Sequence, residues 1–169
     1  MSRGAVFFDR DGVLNRDVAY AHRPEQIEWT PGAAQAVRLA NEAGRLVFVV
    51  TNQSGVARGL FDEPAVQALH RWMGEELSAQ GARIDGWRYC PHHPDGTVAA
   101  YARECDDRKP APGMITALIA EQDLDPARSF LIGDMPRDIQ AAQAAAIRGL
   151  LFDGGDLPAL VAYGLKLTA

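Results

Sequence analysis

This sequence has few cysteines, no long hydrophobic run and no large excess of either charge. Its 169 residues include two cysteines, too few for the disulfide framework of a secreted scaffold. No uninterrupted apolar run reaches the roughly 18 residues that cross a bilayer, so no membrane span is expected. A formal net charge of −5 argues against binding to nucleic acid or to an anionic membrane.

The amino terminus lacks the pattern of a secretory signal, because Arg3 leads into a short apolar run without a cleavage-like site. A cytoplasmic location is therefore expected. The sequence shows no internal repeat, low-complexity segment or linker, and its length suits one domain with a substantial core. We expect a single domain over residues 1–169, and a monomer.

Short apolar runs alternate with longer amphipathic stretches, which is typical of βαβ units on a parallel sheet. Strands are predicted at 5–8, 46–50, 84–89, 129–132 and 148–152. Besides a short helical piece near 98–103, helices are predicted at 31–43, 63–80, 112–122, 137–146 and 157–167. Thr30 before Pro31 predicts the first helix start. The predicted fold class is α/β, a Rossmann-like doubly wound and mainly parallel sheet.

Two carboxylates follow the first predicted strand, where one residue separates Asp9 from Asp11 and Gly12 comes next. Residues i and i+2 of a strand lie on one face, so both side chains would enter one small space. Such a pair suggests a bound cation, acid–base chemistry, or both. The alternative is a surface turn, in which Asp and Gly are common.

Other polar groups follow later strands, or lie between them. Thr51 follows the second strand, Lys109 lies in a loop, and Asp134 follows the strand at 129–132, with Asp138 four residues on. Ligands of open α/β sheets bind at the carboxyl ends of the strands. We therefore expect these groups to share one site with the acidic pair.

Taken in order, these segments resemble the four motifs of the haloacid dehalogenase superfamily of phosphotransferases, and the resemblance spans essentially the whole chain. It implies a phosphatase domain without a large cap domain. By this resemblance, Asp9 is the nucleophile that forms an aspartyl-phosphate, and Asp11 protonates the leaving group and later deprotonates water. Mg²⁺ would be held by Asp9, the backbone carbonyl of Asp11 and Asp134, which suits its preference for few carboxylates plus phosphate and water.

The remaining motif residues have plain structural alternatives. Thr51 would hydrogen-bond a phosphoryl oxygen, or simply cap a strand. Lys109 would screen Asp9 and stabilise transition-state charge, or be a solvated loop charge. Asp138 would ligate the metal or orient water near it, or be a first-turn acid favoured by the helix dipole.

Three longer segments, at 51–59, 90–94 and 108–114, resemble one subfamily. It contains heptose 1,7-bisphosphate 7-phosphatases and histidinol-phosphate phosphatases, both with a zinc loop of the form Cys-x-His…Cys-x-Cys. Twelve residues separate His92 from Cys105, which matches the longer loop of the heptose enzymes. The implied zinc ligands in loop 90–107 are Cys90, His92, Cys105 and Asp107.

Asp107 stands where the subfamily has Cys, so a weaker zinc site and a zinc-free loop with two plain thiols both stay open. Four ligands would make any zinc structural. Met135 stands where the heptose enzymes usually have Lys, and Arg137 is expected to point elsewhere from a helix start. The resemblance also implies substrate contacts from Asp17, Tyr20, Asn52, Gln53, Ser54 and Arg108.

The leading hypothesis is a Mg²⁺-dependent phosphatase of a small phosphorylated sugar, most simply the heptose 1,7-bisphosphate. Histidinol phosphate is the nearest alternative substrate. A polynucleotide 3′-phosphatase is disfavoured by the acidic net charge. A phospho-acceptor signalling domain and a degenerate binding module are non-enzymatic alternatives, although Asp11 as an acid–base group favours turnover.

Overall fold

The computed structural model describes residues 2–169, and its centre is a sheet of five parallel strands in the order β3-β2-β1-β4-β5. The strands are β1 (Ala5–Phe8), β2 (Leu46–Asn52), β3 (Gly86–Cys90), β4 (Phe130–Gly133) and β5 (Arg148–Leu151). The α/β prediction is confirmed.

Five α-helices accompany the sheet, together with short 3-10 helices at Pro24–Gln26 and Pro126–Arg128. The helices are α1 (Ala33–Glu42), α2 (Glu63–Ala79), α3 (Gly113–Glu121), α4 (Pro136–Ala144) and α5 (Leu157–Leu167). None of those in residues 2–169 combines the length and apolarity needed to cross a membrane.

Two local predictions are wrong. The first helix does not start at Pro31 with Thr30 as its N-cap, because Pro31 and Gly32 form a turn and Gly32 takes the N-cap position with φ of 80°. No helix forms at 98–103, where the chain makes turns. The backbone amides of Thr97 and Val98 donate to the carbonyl of Ala57, and the amide of Tyr101 donates to the carbonyl of Val98, so this segment is a turn tied to a neighbouring segment.

The central strand β1 is buried on both faces, and its side chains alternate between two helical layers. Val6 and Phe8 pack into a cluster with α1 and α5. Ala5 and Phe7 pack into a second cluster with α3 and α4. Burial on both faces explains why β1 is a continuous apolar run, as is usual for parallel strands.

β1 lies between β2 and β4, and this order brings three strand ends together. All three strands point the same way, so the residues after Phe8, within Thr51–Asn52 and after Gly133 emerge at one edge. Asp9, Thr51 and Asp134 are therefore delivered to the same place by topology.

Candidate active site

A cleft of about 400 Å³ opens at this edge of the sheet. The structure brings together every side chain predicted to act in catalysis or substrate binding. These cleft residues are Asp9, Asp11, Asp17, Tyr20, Thr51, Asn52, Gln53, Ser54, Arg108, Lys109 and Asp134.

Lys109 is a buried cation at the floor of the cleft, with 2% of its surface exposed. Its Nζ lies 2.9 Å from Asp9 Oδ1 and 2.6 Å from Asp138 Oδ1, and it donates to the Val50 carbonyl at 2.8 Å. Burial disfavours the charge, but the two carboxylates outweigh it and raise the pKa of the ammonium. Lys109 therefore stays cationic beside Asp9.

Both of these carboxylates also lie close to Asp134: Asp9, Asp134 and Asp138 each offer an oxygen, and these oxygens lie within 4.8 Å of one another. The pKa of Asp9 is raised to about 7, chiefly because the carboxyl is buried. The charge of Lys109 opposes this rise, and the charge of Asp138 adds to it. Burial also raises the pKa of Asp134. A divalent cation would relieve this crowding, so the donor set fits Mg²⁺.

Asp138 is the first-turn acid of α4, and it also pairs with Lys109, while its place near a metal stays a prediction. It is fully buried, and its Oδ2 accepts a hydrogen bond from the Met135 backbone amide at 3.1 Å, which caps the start of α4. Its other oxygen meets Lys109. The helix start thus holds a carboxylate beneath the cleft.

Two glycines allow the acidic groups to come this close. A Cβ on Gly12, whose φ is 89°, would lie 2.1 Å from Asp134 Oδ2. A Cβ on Gly133 would lie 2.2 Å from the Cβ of Asp138. Any larger residue at either position would push a carboxylate out of place.

Asp11 is held by donors on both of its oxygens. Oδ1 accepts from Arg10 Nε at 3.2 Å and from Asn15 Nδ2 at 3.0 Å. Oδ2 accepts from Arg10 Nη2 at 2.9 Å and from Gln53 Nε2 at 3.1 Å. Gln53 Nε2 also donates to Thr51 Oγ1 at 2.9 Å. Arg10, which lies between the two acidic residues, and Asn15, four residues after Asp11, were not predicted as site residues, although both are close to the acidic pair in sequence.

Basic side chains line the outer part of the cleft. Arg58, His93 and Arg137 join the predicted Arg108 there. The expectation for Arg137 is wrong, because it faces this cleft. Arg58 lies inside a segment that resembles the subfamily, so its position was a usable signal.

These guanidinium groups act on one another. Burial lowers the pKa of Arg108 first, and the positive charges of Arg137 and Arg58 lower it further. Met135 at the start of α4 is 42% exposed and is not among the cleft residues. Arg137 thus supplies a cation where the neighbouring Met135 does not. An anionic group would relieve the mutual repulsion of the arginines.

Comparison with known proteins decides the family. A family model described as HAD-hydrolase-like matches residues 107–160. A Rhodopseudomonas palustris protein named D-glycero-β-D-manno-heptose-1,7-bisphosphate 7-phosphatase is 53% identical over 159 residues, covering 94% of this chain and 88% of the relative. This chain belongs to the heptose-bisphosphate phosphatase family. It is a phosphatase of the haloacid dehalogenase superfamily, as the motifs predicted.

Further members of the family agree. The protein of that name from Escherichia coli K12 is 42% identical over 143 residues, which cover 85% of this chain and 75% of the relative. The D,D-heptose 1,7-bisphosphate phosphatase of B. bronchiseptica, solved with magnesium and phosphate, superimposes with a TM-score of 0.84 at 33% identity. That match covers 96% of this chain and 98% of the other.

The loop that resembles the zinc loop of this family gathers three of its four predicted ligands. Within residues 2–169, the ligand atoms of Cys90, His92 and Cys105 lie within 4.8 Å of one another, and this group leaves Asp107 outside. Asp107 instead donates its backbone amide to Cys105 Sγ at 3.4 Å. Both cysteines are free thiols, and burial raises the pKa of Cys90 to about 12.

His92 has its two ring nitrogens on different partners. Nδ1 lies 3.8 Å from Cys90 Sγ, and Nε2 lies 2.9 Å from Arg103 Nη2. A guanidinium only donates, so Nε2 accepts and the ring proton sits on Nδ1. Zinc on Nδ1 would require the proton to move to Nε2 and Arg103 to turn away.

Proposed function

We propose that this phosphatase removes the 7-phosphate of D-glycero-β-D-manno-heptose 1,7-bisphosphate. The observation that carries the proposal is the division of the cleft into two ends. The inner end holds the acidic groups and Lys109, where a phosphoryl group would react. The outer end holds Arg58, Arg108 and Arg137, which suit a second phosphate because guanidinium groups bind phosphate oxygens in pairs.

The hydrogen bonds of Asp9 indicate which oxygen attacks. Lys109 Nζ and the Arg10 backbone amide both donate to Oδ1, each at 2.9 Å. Neither donor engages Oδ2, and we assign the attack on phosphorus to this oxygen. As the Oδ2–phosphorus bond forms, the bond to the C7 oxygen of the sugar breaks, and Asp11 supplies the proton to that oxygen.

The second half of the reaction restores the enzyme. Asp11, now a carboxylate, accepts a proton from water, whose oxygen attacks phosphorus and releases Asp9. Lys109 and Thr51 hydrogen-bond or screen the phosphoryl oxygens. Bound Mg²⁺, held by Asp9, Asp134 and the Asp11 carbonyl, would neutralise charge on those oxygens.

Histidinol phosphate is the alternative substrate, because histidinol-phosphate phosphatases belong to the subfamily that the sequence resembles. It carries one phosphate and a positively charged amine at its other end. Three guanidinium groups at the outer end of the cleft repel that amine, whereas they attract a second phosphate. The charge of the cleft therefore favours the bisphosphate.

The decisive experiment measures phosphate release with Mg²⁺ from both anomers of the heptose bisphosphate and from histidinol phosphate. We expect kcat/KM for the β anomer to exceed that for histidinol phosphate by about a hundredfold. Arg137→Ala should raise KM for the bisphosphate about tenfold. Arg148→Ala, at the opposite edge of the sheet, is the matched control. Equal kcat/KM for the two substrates would refute the assignment.

We also propose that Cys90, His92, Cys105 and Asp107 hold a structural zinc ion. Three donors already converge, and a change in the Asp107 side chain would complete four. Metal analysis of the purified protein tests this directly, with Asp107→Cys expected to bind zinc more tightly. A protein that never takes up zinc, even as Asp107→Cys, would refute it.

We further propose that the protein is a cytoplasmic monomer. It would act on a small phosphorylated sugar and have no nucleic-acid or membrane partner. The net charge of −5 supports the exclusion of polyanionic partners. Size-exclusion chromatography with light scattering tests the monomer.

A further inference from the structure

The guanidinium that holds Asp11 is itself fully buried. Arg10 is 0% exposed, and all of its donors lie inside the protein. Besides its bonds to Asp11, Nη2 donates to the Ala21 carbonyl at 2.9 Å and approaches Gln53 Oε1 at 3.3 Å. Because a buried charge is costly unless each donor is paired, Arg10 has little freedom to move.

The remaining terminal nitrogen of Arg10 meets a histidine from another element. Nη1 lies 3.2 Å from Nε2 of His70, which comes from α2 and is 4% exposed. Arg10 only donates, so Nε2 accepts and the imidazole is neutral with its proton on Nδ1. Burial and the charge of Arg10 lower the pKa of His70 to about 3, in agreement with a neutral ring.

The ring of His70 is fixed in turn by the edge strand. It stacks on Trp87 of β3 with centroids 4.7 Å apart and planes at 20°, and it meets the Tyr89 ring edge-on at 5.9 Å. Stacking of this kind holds a ring in one orientation. A continuous line of contacts therefore runs from β3 through His70 and Arg10 to Asp11.

We propose that His70 and Arg10 are positioning residues that set the place of the Asp11 carboxylate for proton transfer to the leaving oxygen. The proposal rests on the acid role assigned to Asp11 above. Proton transfer by a side chain depends on hydrogen-bond geometry, so a displaced carboxylate would slow departure of a basic alkoxide. An aryl leaving group that departs without a proton would be unaffected.

The test compares two substrates in two His70 variants. His70→Phe keeps an aromatic ring against Trp87 but removes the acceptor for Arg10, whereas His70→Gln keeps an acceptor without the ring. Measurement is kcat/KM for the heptose bisphosphate and for 4-nitrophenyl phosphate, because this parameter includes leaving-group departure. We expect His70→Phe to lower the ratio of kcat/KM for the heptose bisphosphate to kcat/KM for 4-nitrophenyl phosphate about tenfold. In His70→Gln this ratio should stay close to the wild-type value.

Arg10→Lys provides the second perturbation, because it keeps the charge but loses the forked contact with Asp11. We expect Arg10→Lys to lower the same ratio of kcat/KM values about a hundredfold relative to the wild type, which is more than His70→Phe does. If His70→Phe and Arg10→Lys each lowered kcat/KM equally for both substrates, the two residues would have a purely structural role. A thermal melt of each variant shows that the protein remains folded.

Asp11→Asn separates failure of this proposal from failure of the mechanism. If Asp11→Asn lowers kcat/KM equally for both substrates, the acid role of Asp11 is wrong, and the positioning role is refuted with it. If Asp11→Asn acts selectively on the sugar substrate but His70→Phe does not, the mechanism stands and only the positioning role is refuted.

Discussion

His70 should make the stability of this protein depend on pH. Its pKa is lowered from 6.5 to about 3 in the fold, by burial first and by the charge of Arg10 second. In the unfolded chain the imidazole binds a proton as pH falls through 6.5, while the folded protein cannot accept that proton until about pH 3. Protons therefore favour the unfolded chain in this window, and stability falls as pH drops.

The size of the effect follows from the gap in pKa. On going from about pH 8 to pH 5, the pH falls about 1.5 units below the pKa of the unfolded imidazole. Each of these units lowers the free energy of unfolding by about 1.36 kcal/mol. The loss from His70 is then about 2 kcal/mol. For a chain of this size that corresponds to a fall of about 4–8 °C in Tm.

Urea unfolding of the wild type and of His70→Gln at the two pH values measures this loss. Gln does not titrate, so the free energy of unfolding of the variant should fall less on acidification, by about 2 kcal/mol. Carboxylates common to both proteins cancel in the comparison, and metal-free buffer removes any contribution from cation binding. An identical pH dependence in the two proteins would show that His70 is not buried in its neutral form.

Three further substitutions test the site and its supports. Asp9→Asn should abolish phosphate release while the urea midpoint stays close to that of the wild type; retained turnover would contradict the nucleophile. Gly133→Ala should cost about 1–3 kcal/mol of stability, because its Cβ would lie 2.2 Å from the Cβ of Asp138. Cys90→Ser should lower Tm and any zinc content more than kcat; an unchanged Tm in a zinc-free protein would count against the zinc ion.

Local patterns predicted the five strands and the main helices because their causes are local. Strand β1 is buried on both faces, and such a strand appears in the sequence as an unbroken apolar run. Val66, Leu69, Met73 and Leu77 recur in the sequence at helical spacing, and the structure buries all four on one face of α2. Predictions failed where partners are distant, as at 98–103, whose neighbouring amides bond to Ala57.

The chemistry of the inner cleft was equally visible in the sequence. Asp9, Thr51 and Asp134 each follow a predicted strand, and parallel strands carry their carboxyl ends to one edge. Residue type and strand position together were enough to bring these groups to one site. Lys109 was found through its motif, although its contact with Asp138 was not.

Tertiary structure alone decided which further side chains reach the site. Arg137 faces the cleft because of the direction in which α4 leaves β4, and a position near a helix start does not specify that direction. His70 lies 60 residues from Arg10, and the two meet only once α2 packs against the sheet. Sequence determined the reacting groups, since these sit on strand ends; packing determined their supports, since these contacts join elements whose relative placement no local pattern contains.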